Sequence, residues 1–221
     1  MNNTSTSQTY LLLELITIYL ILPAFIYMWS PHPLLPLLWF IAFICGVMLF
    51  KDKSFKKNML WALPPVIPYK VILIQAITSF IVTAIFLYLT APESLFSLIK
   101  INPLLWLLVM LLYPILSVYP QELIYRGFFF HRYRNLIKNP SLSIGLNALL
   151  FSYMHIIFHN WVAVILTMLG GLYFAMLYQR SHSVLFVSIV HAIYGNLLFT
   201  LGLGQYFYHG SIETIAQTFK F

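Results

Sequence analysis

Pro120-Gln121-Glu122-Leu123-Ile124-Tyr125-Arg126-Gly127 is the stretch around which the rest of the chain is read. It follows directly on an apolar run, in a chain with five acidic residues among 221. Glu122 is one of the five, and Arg126 stands four residues later. On a helix that spacing sets acid and base on one face, acid on the N-terminal side, as an ion pair requires. Charge at membrane depth is costly and is usually kept for a function.

The depth follows from composition. The chain is 61% hydrophobic and 8% charged, with a mean hydropathy of +0.87. A soluble domain carries about a quarter charged residues, so the fold class is an all-α polytopic membrane protein, a bundle of seven or eight helices. A single membrane domain is expected, with no separate soluble catalytic module. The net charge of +7 does not point to nucleic acid, because Lys and Arg cluster beside apolar runs. Cys45 is the only cysteine, which excludes an intrachain disulfide framework and suits packing inside an apolar run. The N-terminus lacks a positive leader, and the apolar run after it is too long for a signal-peptide core, so it reads as a retained first span.

A hydrocarbon core of about 30 Å needs about 20 helical residues. Runs of that order fall at 10–29, 34–50, 71–90, 104–119, 141–158, 161–178 and 184–203. Between the second and third, a basic loop leads into the proline-broken stretch Leu60 to Pro68, read as interfacial or re-entrant. It becomes an eighth span if it crosses. With seven spans and the N-terminus cytoplasmic, Lys51, Lys53, Lys56, Lys57, Lys70, Arg132, Arg134, Lys138 and Arg180 fall on the inner side. Lys100 and Lys220 fall outside. This obeys the positive-inside rule, and a multi-pass protein of a bacterial inner or plasma membrane is expected. Trp29, Trp39, Trp161 and Tyr178 suit interfacial belts. Residues 1–103 form the N-terminal spans, 104–203 a core and 204–221 a mixed, aromatic tail.

Polar groups stand out against this background at four places. Beyond Glu122 and Arg126 there is Phe151-Ser152-Tyr153-Met154-His155, running on to His159. In the last span lies His191-Ala192-Ile193-Tyr194-Gly195-Asn196, and Glu14 is alone in the first. His155 and His159, four apart, would share a helical face, a spacing that suits two ligands of one metal. The alternative is that His159 caps the span end at the interface. An unpaired imidazole at the depth of His191 would be unfavourable, so it joins a site or is satisfied by a neighbouring helix. Glu14 reads as a packing or interfacial acid. Together a carboxylate, an arginine and two or three histidines suit hydrolysis. Glu122 or a histidine can take a proton from water, or histidines can hold a metal that acidifies it. Arg126 can orient Glu122 or stabilise an oxyanion. No serine sits in a Gly-x-Ser-x-Gly elbow.

These residues resemble the CPBP family (CAAX prenyl proteases and bacteriocin-processing enzymes, also called ABI), polytopic intramembrane endopeptidases. The family's motifs run Glu-Glu-x-x-x-Arg, Phe-x-x-x-His and His-x-x-x-Asn/Asp on separate helices. Here they read Gln121 to Arg126, Phe151 to His155 and His191 to Gly195, in the family's order, within about 104–203. Gln121 replaces the first glutamate, usually given the water-activating role, and an amide is no general base. Gly195 stands at the last motif's fourth position, with Asn196 one residue on. That shift turns a side chain by about 100°, so Asn196 reaches the site only if the helix is distorted.

The resemblance implies catalytic roles for Glu122, Arg126, His155 and His191, and substrate contacts from Gln121, Phe151 and Asn196. His155, His159 and His191 could hold Zn²⁺; metal-free activation of water by a glutamate–histidine pair is the other option. The implied partners are the lipid bilayer and a protein or peptide substrate, lipidated or not, cleaved near the cytoplasmic face. A non-catalytic membrane protein on the same fold, such as an immunity or scaffold protein, is the alternative that Gln121 favours. A small transporter is a third, against which the lack of an internal repeat argues.

One difficulty concerns depth. In a straight seven-span bundle Glu122, His155 and His191 would differ in depth by up to roughly 20 Å at 1.5 Å per residue. Proline disrupts a continuing helix and suits the first turn of a new one. The sequence therefore predicts that Pro120 opens a separate helix turning back into the membrane.

Overall fold

Hydrocarbon offers backbone groups no water, so a chain this apolar must satisfy them within helices. The computed structural model describes residues 7–29 and 34–207, and among them it contains no strand. Among the described residues seven helices are long and apolar enough to cross a membrane: α1 Gln8–Trp29, α2 Leu34–Lys51, α3 Tyr69–Thr90, α4 Pro103–Arg132, α5 Pro140–Phe158, α6 Trp161–Ser181 and α7 Val184–Leu201. Exposed side chains such as Val82 and Leu89 of α3 are apolar, while Glu122 and Arg126 are fully buried. Lys220 and residues 208–221 of the tail lie outside the described residues.

The sequence carries the helix starts. Asn102 and Asn139 each precede a proline, and their side chains accept from Leu105 N and Leu142 N. Asparagine at the cap with proline in the first turn is a strong start signal. Asn160 and Ser183 do the same for α6 and α7, accepting from Ala163 N and Phe186 N.

The segment Leu60 to Pro68 does not cross. Lys57–Leu60 is a single 3-10 turn, and the chain beyond it is non-helical up to α3. It is held by Ser183 Oγ donating to Ala62 O at 2.6 Å and Tyr119 OH donating to Leu60 O at 3.3 Å. Asp52, Ser54, His131 and Arg134 bond to one another at this same end of the bundle, and Arg132 forms a bidentate pair with Glu14 of α1. Glu14 thus ties α1 to the end of α4, in keeping with a packing acid.

Pro120 does not begin a new helix. α4 runs through it for 30 residues, about 45 Å of helix, and contains π-helical turns at Pro114–Val118 and Leu123–Phe128. The expectation of a separate, returning helix is overturned because the strain at the prolines is absorbed locally. A proline cannot donate to the carbonyl four residues back, and side chains from other helices take over. Asn196 Nδ2 of α7 donates to Met110 O at 3.2 Å, four residues before Pro114. Trp39 Nε1 of α2 donates to Leu116 O at 2.9 Å, four before Pro120. In the second wide turn, Ile124 O accepts from Tyr19 OH of α1 at 2.8 Å. Tyr125 O accepts from Asn147 Nδ2 of α5 at 2.6 Å. Four helices therefore hold α4 in shape.

This removes the depth difficulty. The fourth span ends at Arg132 rather than near Tyr119, so Glu122 lies ten residues inside it, about 15 Å at helical rise.

Candidate active site

Glu122 sits between the two wide turns of α4, fully buried. Its Oε1 lies 2.8 Å from His191 Nδ1 of α7, and its Oε2 lies 3.2 Å from Arg126 Nε. A carboxylate only accepts, so His191 Nδ1 carries the proton and Nε2 keeps its lone pair. Arg126 and Glu122 touch as charges without the alignment of a hydrogen bond. The guanidinium is stabilised further by the Phe151 ring, whose centroid lies 4.3 Å away, and by Gly171 O, 3.4 Å from its NH2. Cation–π contact is strongest where water is excluded, as here. Gly171 also lets α5 and α6 approach closely, since a Cβ there would lie 3.2 Å from the Ala148 backbone.

His191 is clamped on its other faces. Its ring stacks on Phe174 at 4.6 Å, with Phe151 edge-on at 5.8 Å. Its Nε2 lies 3.3 Å from Tyr113 OH. With Nδ1–H committed to Glu122, the phenol is the donor in that contact. Tyr113, His191 and Glu122 thus form a hydroxyl–imidazole–carboxylate chain.

His155 ends the regular part of α5. Its Nδ1 lies 2.7 Å from Phe151 O; a carbonyl only accepts, so Nε2 is the bare nitrogen. Two largely apolar cavities, of about 690 and 620 Å³, share a wall that includes His155, Tyr113, Ser117 and Gln121. The larger runs between α1, α2 and α4, and the smaller reaches His191, Phe151 and Phe174. Gln121 Nε2 donates to Ser117 Oγ at 2.8 Å.

The structure brings Glu122, Arg126, His155, His191, Phe151 and Gln121 together, and leaves out His159 and Asn196. The α-helix gives way to a 3-10 turn at His155–Phe158, and His159 is left-handed at φ 55°. The helical face that would pair His159 with His155 therefore does not exist, and the His159 ring packs 4.5 Å from Tyr27 of α1. α7 is regular through Gly195, so Asn196 turns to Met110 O instead of the cavities. Glu122 and Arg126 are fully buried and line neither cavity. Gln121, not Glu122, presents its side chain to the open space.

The donors do not fit the zinc set anticipated from the sequence. Among the described residues no group of three or more His, Cys, Asp or Glu side chains is placed to hold a metal ion. His191 Nδ1 is committed to Glu122, and His159 is elsewhere.

Sequence reasoning missed Tyr113, Phe174 and Asn147. Tyr113 precedes Pro114, where a widened turn was a readable signal; Phe174 carried none. Trp39, assigned only to an interfacial belt, proves to cap the carbonyl that Pro120 leaves free.

A seven-span bundle with a buried Glu–His–Arg cluster beside two apolar cavities belongs to the class of multi-pass integral membrane proteins with an intramembrane polar site. A family model described as type II CAAX prenyl endopeptidase Rce1-like matches residues 102–197, the segment that carries the resemblance to the CPBP family. No curated protein and no solved structure matched the chain in the same comparisons.

Proposed function

We propose that this protein is an intramembrane endopeptidase of the CPBP type, cleaving a membrane-associated protein or peptide with water activated by histidine. The family description names CAAX prenyl endopeptidases, which makes a prenylated C-terminal peptide the first substrate to test. The observation that carries the reading is the 2.8 Å bond between Glu122 Oε1 and His191 Nδ1, beside a cavity. A buried carboxylate behind an imidazole fixes its tautomer and stabilises the imidazolium that forms.

Glu122 therefore acts through His191 and not on water directly. His191 Nε2 takes a proton from water as its oxygen bonds to the scissile carbonyl carbon. The C–N bond then breaks, and His191 returns the proton to the departing amine nitrogen. His155 Nε2 accepts the water's second hydrogen and orients it. Arg126 holds Glu122 in place. The cytoplasmic placement of the N-terminus rests on the basic residues gathered at the end where α2, α4 and α6 finish.

The test is purified protein in liposomes with a farnesylated CAAX peptide, followed by mass spectrometry of the released C-terminal fragment. Release by the wild type and its loss in His155→Ala and His191→Ala support the reading. Gln121, facing the cavity where the family has glutamate, favours a second one: a non-catalytic scaffold. That reading predicts no release by the wild type, and a host phenotype that His191→Ala still complements.

A further inference from the structure

We infer that Tyr113 is a catalytic residue of this site, donating its phenol hydrogen bond to the oxygen of the scissile carbonyl, and that Gly195 makes its position available. The inference rests on the endopeptidase reading above. Hydrolysis of an amide puts negative charge on the carbonyl oxygen, and the site needs a donor for it. The obvious cation is excluded, because Arg126 is fully buried beneath Phe151 and Phe174 and lines neither cavity. Asn196 is excluded because its amide turns to Met110 O and it lines neither cavity. Tyr113 lines both cavities and carries a hydroxyl next to the imidazole.

Its placement depends on a missing side chain. A Cβ built on Gly195 would lie 2.4 Å from both Cε1 and OH of Tyr113. The phenol therefore fills the space that a side chain at position 195 would need, one helical turn from His191 on the same face. The Phe199 ring, edge-on at 5.2 Å, supports the Tyr113 ring from the next turn of α7.

The resting geometry also supplies the switch. Tyr113 O–H rests on His191 Nε2 at 3.3 Å, long for a hydroxyl donor, whose usual distance is about 2.7–2.8 Å to oxygen. When a carbonyl oxygen enters, the hydroxyl turns onto it, and the His191 Nε2 lone pair is released to take the proton of water. One rotation about the phenol C–O bond forms the oxyanion donor and frees the base. The proton balance is unchanged: water supplies hydroxyl to the acyl carbon and, through His191, hydrogen to the amine.

The test is a cycle of Tyr113→Phe, Gly195→Ala and the double variant, in liposomes with the farnesylated CAAX peptide. Tyr113→Phe keeps ring and packing. The expected result is a kcat lowered about 10²–10³-fold with KM little changed, as for loss of one oxyanion donor. Gly195→Ala displaces the ring and lowers kcat similarly. The double variant is no worse than Tyr113→Phe, because both changes remove one interaction. Tyr113→Phe with wild-type kcat overturns the role while leaving the endopeptidase reading intact. Additive losses in the double variant overturn the link to Gly195. A wild type that cleaves nothing overturns both the role and the reading beneath it.

Discussion

Glu122 Oε1 stands 2.8 Å from His191 Nδ1, across 69 residues of sequence, with Glu122 wholly out of contact with solvent. An acid so placed cannot touch a substrate, yet it sets which nitrogen of the imidazole is free. On the proposed endopeptidase reading the chemistry falls to His191 and His155, with Glu122 and Arg126 holding His191 in place.

Arg126 balances the Glu122 charge where neither side chain is exposed to solvent. Removing one partner of a buried pair leaves the other uncompensated, at a cost of about 3–5 kcal/mol. Arg126→Ala should lower the thermal midpoint in detergent sharply. Arg126→Ala combined with Glu122→Gln should recover much of it, because the orphan charge is gone. Equal loss in the single and double variants would show that Arg126 acts by packing on Phe151 alone.

The shape of α4 depends on donors from its neighbours. Asn147→Leu removes the amide that satisfies Tyr125 O in the second wide turn, and an unsatisfied buried carbonyl costs about 1–3 kcal/mol. Thermal unfolding should show that loss. Trp39→Phe, at a more exposed site, should cost less.

Outside the spans, the loop after α2 is expected to respond to acid. The Ser54 hydroxyl, with His131 and the Ser54 backbone N–H adding to it, holds the Asp52 carboxyl well below the usual carboxylate range. A depressed carboxyl stabilises the folded state fully above its unfolded value of about 3.9, and that contribution disappears as pH falls through the folded value. Asp52→Asn should unfold at a lower temperature than wild type near neutral pH. The gap should narrow as pH falls below about 4. A constant gap would contradict this account of the loop.

Much of this architecture was legible because burial in lipid leaves a simple record. Seven apolar runs became seven helices, with starts written in Asn102-Pro103, Asn139-Pro140, Asn160 and Ser183. The interior of α4 was not legible, because a proline reads as a break when only its own strand of sequence is considered. Whether the freed carbonyls find Trp39 and Asn196 depends on helices about 70 to 90 residues away. The site was half legible for the same reason. Glu122, Arg126, His155 and His191 stood out as polar groups in apolar surroundings. His159 was misplaced by one left-handed residue, and Tyr113 was hidden among the aromatic residues of a membrane chain.

The most direct measurement of the central claim is the kcat of Glu122→Gln against wild type, on a farnesylated CAAX peptide in liposomes, with folding checked by the thermal midpoint. An amide in place of the carboxylate still fills the space but cannot stabilise the imidazolium at His191. The variant is expected to unfold at a lower temperature, because Arg126 loses its counter-charge, and, while folded, to show a kcat lowered by about 10²-fold or more with KM little changed. A folded Glu122→Gln protein that cleaves at the wild-type rate would contradict the account.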